Sequence, residues 1–124
     1  MNGIDYLLDT NAIIYLLAGN TCMKDYLSSN FGLSIISQME VLSLNNISIK
    51  EEDLINLFLD ECNIINLNNS IVDTTIILRK NYKIKLPDAI VAATSIFCDV
   101  PLITADKGFS KIKELKLELI TPSM

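Results

Sequence analysis

The sequence predicts one α/β domain with a mostly parallel sheet covered by helices on both faces. Three observations carry that prediction. Short runs of almost unbroken apolar residues recur along the chain, the pattern of strands buried on both sides. Segments with helical spacing separate them, and such alternation belongs to parallel sheets. The chain has 124 residues and half of them are hydrophobic, enough for a sizeable core in a single domain, 1–124, without disulfide staples.

The elements follow in order. Ile4 to Leu8 reads as the first strand. Asp9-Thr10-Asn11 suits a helix start, which the apolar stretch Ala12 to Ala18 continues up to Gly19. Thr21 to Ser29 has the look of a second short helix, and Leu33 to Ile35 of a strand. Ser37 and Glu40 have capping-box spacing and would open a helix running to about Leu44. Lys50 to Glu61 carries Leu54, Ile55, Leu57 and Phe58 at helical spacing behind an acidic first turn, which favours the helix dipole. Ile64-Ile65 is a strand candidate, and Ser70 to Lys80 a helix with Ile71, Thr74, Thr75 and Leu78 on one face. Pro87 precedes a helix from Asp88 to about Phe97 that is rich in small residues, Ala89, Ala92 and Ala93. Val100 to Thr104 and Leu117 to Ile120 complete the set as strands. The expected order is β-α-α-β-α-α-β-α-α-β-α-β.

Composition narrows the chemistry. There is no histidine, which excludes Ser-His-Asp and Cys-His catalytic sets and every zinc site that needs an imidazole. Acid–base or metal chemistry must run on carboxylates, lysines, hydroxyls or bound water. Cys22, Cys62 and Cys98 are odd in number and widely spaced, so they read as buried thiols of a reducing compartment. The opening Met1-Asn2-Gly3-Ile4-Asp5 has no basic region, and the longest apolar run, Ala12 to Ala18, falls far short of the roughly 20 residues that cross a bilayer. A cytoplasmic protein with no membrane span is expected. The net charge is −5, unevenly spread: residues 1–62 hold nine acids and two bases, residues 63–124 six acids and eight bases. Eight of the ten bases fall in two stretches, Arg79, Lys80, Lys83, Lys85 and Lys107, Lys111, Lys113, Lys116. A solvated helix face is the plain account of either stretch.

Ligands of open parallel sheets gather beyond the carboxyl ends of the strands. Asp9 ends the first strand, Glu40 follows the second, Asp88 starts the small-residue helix, and Asp106 lies two residues past the strand ending at Thr104. Each has a structural account as well: Asp9 as a helix cap, Glu40 in a capping box, Asp88 on a helix dipole, Asp106 in a turn. Four carboxylates at one sheet edge would repel one another and resist desolvation unless a cation offsets them. An all-oxygen set without imidazole or thiolate suits Mg²⁺ or Mn²⁺.

Leu7-Leu8-Asp9-Thr10-Asn11, Ile36-Ser37-Gln38-Met39-Glu40-Val41-Leu42, Leu86-Pro87-Asp88-Ala89-Ile90-Val91-Ala92-Ala93-Thr94, and Leu102-Ile103-Thr104-Ala105-Asp106 with Phe109 resemble the PIN domain. The likeness is to VapC-type toxins of bacterial toxin–antitoxin pairs, and it covers nearly the whole chain in order. The resemblance implies a Rossmann-like three-layer sandwich, a homodimer, and an endoribonuclease inhibited by an antitoxin in the active-site groove. It implies that Asp9, Glu40, Asp88 and Asp106 form the acidic metal-binding quartet, with Asn11 and Thr104 supporting the first and last acids. Mg²⁺- or Mn²⁺-activated water would then hydrolyse RNA phosphodiesters, leaving 5′-phosphate and 3′-hydroxyl ends. Arg79, Lys80, Lys83 and Lys85 would hold RNA phosphates. The alternative is a PIN-like module that binds RNA or protein without cutting.

Overall fold

A computed structural model describes residues 3–123. Among them the predicted order of elements is present in full, with the two shortest helices formed as 3₁₀ turns. The strands are β1 (Tyr6–Leu8), β2 (Phe31–Ser34), β3 (Asn63–Ile65), β4 (Leu102–Thr104) and β5 (Leu117–Leu119). The α-helices are α1 (Thr10–Leu17), α2 (Ile35–Leu42), α3 (Ile49–Glu61), α4 (Asn69–Asn81) and α5 (Leu86–Cys98), and 3₁₀ turns cover Thr21–Tyr26 and Lys107–Lys111. The strands form one sheet in the order β3-β2-β1-β4-β5, and every neighbouring pair is parallel.

Alternation along each strand divides the core in two. Leu7 and Leu102 point to one face, where Ile71 and Leu78 of α4, Ile90 to Ala93 of α5, and Phe109 and Ile112 cover them. Leu8, Leu33 and Ile103 point to the other, under Ala12 and Ile13 of α1, Val41 of α2, and Ile55 and Leu59 of α3. Both faces of the central strands are therefore dry, and Leu7, Leu8, Leu33, Leu102 and Ile103 are fully buried. This is the three-layer sandwich that the resemblance implies. The helix face Ile71, Thr75, Leu78 is buried as its spacing predicts, and the alanines at 89, 92 and 93 are fully covered or nearly so, letting α5 lie close on the sheet.

Several boundaries differ from the sequence expectation. Ile4 is buried but outside the strand, which starts at Tyr6. Ile35 belongs to α2 and not to a strand, because Ser34 is both the last residue of β2, paired with Ile65, and the N-cap of α2, its hydroxyl accepting from the Ile36 amide at 3.1 Å. The Ser37–Glu40 capping box is thereby corrected: Ser37 lies inside the helix, fully buried, its hydroxyl without a partner among the described residues. A true capping box sits at the start of α3, where Ser48 and Glu51 exchange side-chain to backbone hydrogen bonds of 2.9 and 3.1 Å. Leu54 and Leu57 are exposed, and Leu59 takes the core position instead. Pro87 lies within the first turn of α5, where no amide hydrogen is needed. Of the cysteines, Cys98 alone is buried; Cys22 and Cys62 are half-buried, and all three are free thiols. Burial raises the Cys62 thiol to about 11, so it is a poor thiolate ligand. No helix of the described residues is long and apolar enough to cross a membrane.

Candidate active site

The strand order places the site. From β1 the chain builds outward through β2 and β3, then returns to the other side of β1 for β4 and β5. The loops after β1 and β4 therefore diverge, leaving a crevice beyond their carboxyl ends. Asp9 follows β1 directly and Asp106 follows β4 by two residues. A cavity of about 310 Å³ opens there, lined by Asp9, Thr10, Asn11, Ile14, Glu40, Leu44, Asp88, Val91, Asp106 and Phe109. All four acids singled out from the sequence border it.

Asp9 is the most constrained of them. As N-cap of α1 it accepts the Ala12 amide on Oδ1 at 2.8 Å, while Oδ2 accepts the Thr104 hydroxyl. The Thr104 oxygen in turn accepts the Asp106 amide at 3.0 Å, and Asp106 Oδ1 accepts the Gly108 amide at 2.8 Å. Thr104, fully buried at the end of β4, thus couples the first acid to the last. Both accounts of Asp9 hold together: the helix cap fixes the carboxylate that faces the cavity. Asn11 lines the cavity without a side-chain hydrogen bond among the described residues. Glu40, on the exposed side of α2, accepts the Thr10 hydroxyl on Oε1 at 2.5 Å. Asp88 is the third residue of α5, half-buried at its first turn.

The electrostatics follow from this crowding. Asp9 is only 8% exposed, and its carboxyl titrates above the usual range, chiefly through desolvation, with Asp106 and Asp88 adding to the rise against the lowering by Thr104 and Ala12. Asp88 is raised by desolvation first, then by Asp106 and Glu40, while Lys85 and Lys111 pull it back. Close placement of the acids thus disfavours their charged forms, which Lys85 and Lys111 offset in part at Asp88. Among the described residues no three acids stand close enough, as oriented, to enclose an ion. The donor set nonetheless fits a hard cation, which takes oxygen ligands and, in the case of Mg²⁺, keeps several of its own waters.

The basic residues separate into two groups. Lys83 and Lys85, with Lys111, line a second cavity that shares Asp88, Asp106 and Phe109 with the first. Arg79 instead donates from Nε to the Ile84 carbonyl at 3.4 Å, tying the end of α4 to the segment before α5, and Lys80 lines neither cavity. On the opposite side, Ile14 and Leu44 connect the acidic cavity to an apolar groove between α1, α2 and α3, formed with Leu17, Val41, Ile47 and Leu54. Part of the apolar α1 thus faces a groove, through Ile14 and Leu17. Sequence reasoning missed Thr10, whose signal was its place beside Asp9, and Lys111, which stood unmarked in the second basic stretch.

Comparison with known proteins agrees with the fold. The family model of the PIN domain matches residues 6–115. A chain of a toxin–antitoxin complex from Klebsiella pneumoniae is 33% identical, with a TM-score of 0.77 over 90% of this chain and 95% of that one. VapBC2 from Rickettsia felis, bound to a promoter DNA fragment, gives a TM-score of 0.83 at 20% identity over 95% of this chain and 100% of that one. VapBC-1 from nontypeable Haemophilus influenzae gives 0.78 at 22% identity, with 94% and 98% covered. A comparison with curated protein sequences gave no match. The model match over most of the chain, on a fold with this strand order, means that the chain belongs to the PIN domain family.

Proposed function

We propose that the chain is the toxin of a type II toxin–antitoxin pair and acts in the cytoplasm as a metal-dependent endoribonuclease. The observation that carries this reading is the meeting of Asp9, Glu40, Asp88 and Asp106 on one cavity at the switch point of the sheet. Without histidine the chain has no imidazole base. Asp9, Asp88 and Asp106 would hold Mg²⁺ or Mn²⁺, with Glu40 within the same cavity. When bound, the cation acidifies water and offsets charge growing on the phosphate.

The chain's own groups do the rest. The N-terminus of α1 and Thr104 lock both oxygens of Asp9, so its carboxylate cannot swing away. Thr10 occupies Glu40 Oε1, leaving Oε2 to accept a proton from the attacking water and to orient it. Asn11 would support the water or the substrate from the first turn of α1. The antitoxin would seat an apolar segment in the groove between α1, α2 and α3, which opens onto the acidic cavity through Ile14 and Leu44. That placement, with two of the solved relatives being toxin–antitoxin or VapBC complexes, supports inhibition by occlusion. A homodimer would use the exposed apolar side of α4, Val72, Ile76 and Ile77.

The test is cleavage of single-stranded RNA and, in parallel, single-stranded DNA, with Mg²⁺, with Mn²⁺ and with EDTA. RNA should be cut to 5′-phosphate and 3′-hydroxyl ends, EDTA should stop the reaction, and Asp88→Asn should lower the rate at least 100-fold with an unchanged circular dichroism spectrum. Cyclic phosphate products formed in EDTA would overturn the metal reading. An Asp88→Asn variant that retains its cellular effect would favour the binding module.

A further inference from the structure

The second cavity has no role in the quartet's chemistry, yet it is continuous with it. Its volume is about 260 Å³, and Lys83, Lys85 and Lys111 border it on one side, with Asp88, Asp106 and Phe109 forming the wall shared with the acidic cavity. The one ion pair among the described residues joins Lys116 to Asp99, so none of these three lysines is held in a contact ion pair. Lys111 is also held in place: its ammonium donates to the Lys83 carbonyl, which steers Nζ across the cavity and leaves two further donors. Lys85 and Lys111 lie close enough to Asp88 to favour its charge.

From this geometry we propose that the cavity is a backbone-phosphate subsite for an RNA strand, holding the phosphate next to the one at the acidic cavity. The proposal rests on the nuclease reading above and deepens it. The two cavities share Phe109, so a strand running across it would place one phosphate among carboxylates and the next among lysines. The substrate is then a continuous strand bound on both sides of the cut, which accounts for internal cleavage. Of the four bases first assigned to RNA, Lys83 and Lys85 belong to this subsite, Lys111 joins them, and Arg79 and Lys80 do not.

The experiment compares wild type, Lys85→Gln/Lys111→Gln, and a control, Lys24→Gln/Lys50→Gln, that removes the same charge from exposed positions on the acidic half. Binding of a labelled single-stranded RNA is followed by fluorescence anisotropy in EDTA over a range of salt. The double variant should bind at least tenfold more weakly, and its salt slope should shrink by about one; the control should match wild type. Cleavage is then measured on strands carrying one uncharged methylphosphonate next to the cut bond. This neutral linkage should slow wild type about tenfold and the double variant no further. Equal losses in variant and control, or a full neutral-linkage effect in the variant, overturn the subsite. If wild type binds RNA through these lysines yet cuts nothing, the subsite stands and the nuclease reading falls. If it cuts and the double variant binds and cuts as well, the subsite alone falls.

Discussion

Asp9 does two jobs that pull in opposite directions. Its carboxylate caps α1 and receives the Thr104 hydroxyl, both of which favour its charge, while burial and the neighbouring Asp106 and Asp88 disfavour it, and the net result is a raised pKa. Between the ordinary value of 3.8 and the higher native one, the folded protein keeps a proton that the unfolded chain has lost. Stability therefore falls as pH rises through that window, and the full cost is present above the native value. Asn at this position can still cap the helix through its oxygen, but its amide meets the Thr104 hydroxyl, whose buried proton then loses its acceptor. Asp9→Asn should therefore flatten the pH dependence of Tm measured by calorimetry on the metal-free protein across that window, with a net change in stability of no more than about 1 kcal/mol, because relief of the buried charge and the orphaned hydroxyl oppose each other. Under the proposed function, cleavage should be lost. At this scale the sequence was informative about the acids, because strand ends and helix starts are local features. It was silent about Lys111 and about the Thr10–Glu40 bond, which joins residues 30 positions apart, because such partners are brought together only by the finished sheet.

At the level of elements, caps explain both the successes and the errors. Ser34 and Ser37 are separated by one helical turn, and each was able in principle to open α2. Pairing of Ser34 with Ile65 in the sheet fixes the earlier start and turns Ser37 into a buried residue with an unsatisfied hydroxyl. Local sequence cannot register a ladder bond to β3. At α3 no such competition exists, and Ser48 and Glu51 close their reciprocal bonds on exposed backbone. Ser48→Ala should cost about 1 kcal/mol in urea-induced unfolding, with no effect on the proposed cleavage, since α3 lends no residue to the acidic cavity. Helix faces were read well where burial is one-sided, as in α4, and poorly in α3, where Leu54 borders the groove and Leu57 faces out.

The whole molecule is organised around β1. It is the middle strand of the five, between β2 and β4, and its Leu7 and Leu8 are fully buried on opposite faces. Alternating apolar strands and helices were enough to anticipate a parallel sheet, but not the order 3-2-1-4-5, which depends on which side each crossover takes. Hydrogen exchange should reflect that order: amides of β1 and β4 should be the slowest in the sheet, those of edge strands β3 and β5 faster. The uneven charge also falls into place, since the late basic stretches supply the lysines that border the late acids, Asp88 and Asp106. The arrangement of β1 has a consequence for synthesis. Asp9 leaves the ribosome well before Thr104, which holds its second oxygen, and Asp106. A nascent or truncated chain ending before β4 has an open edge on β1 and no completed acidic cavity. Completion of the acidic cavity is thus tied to synthesis of β4 and the loop after it, so that a chain stopping short of them lacks the proposed site.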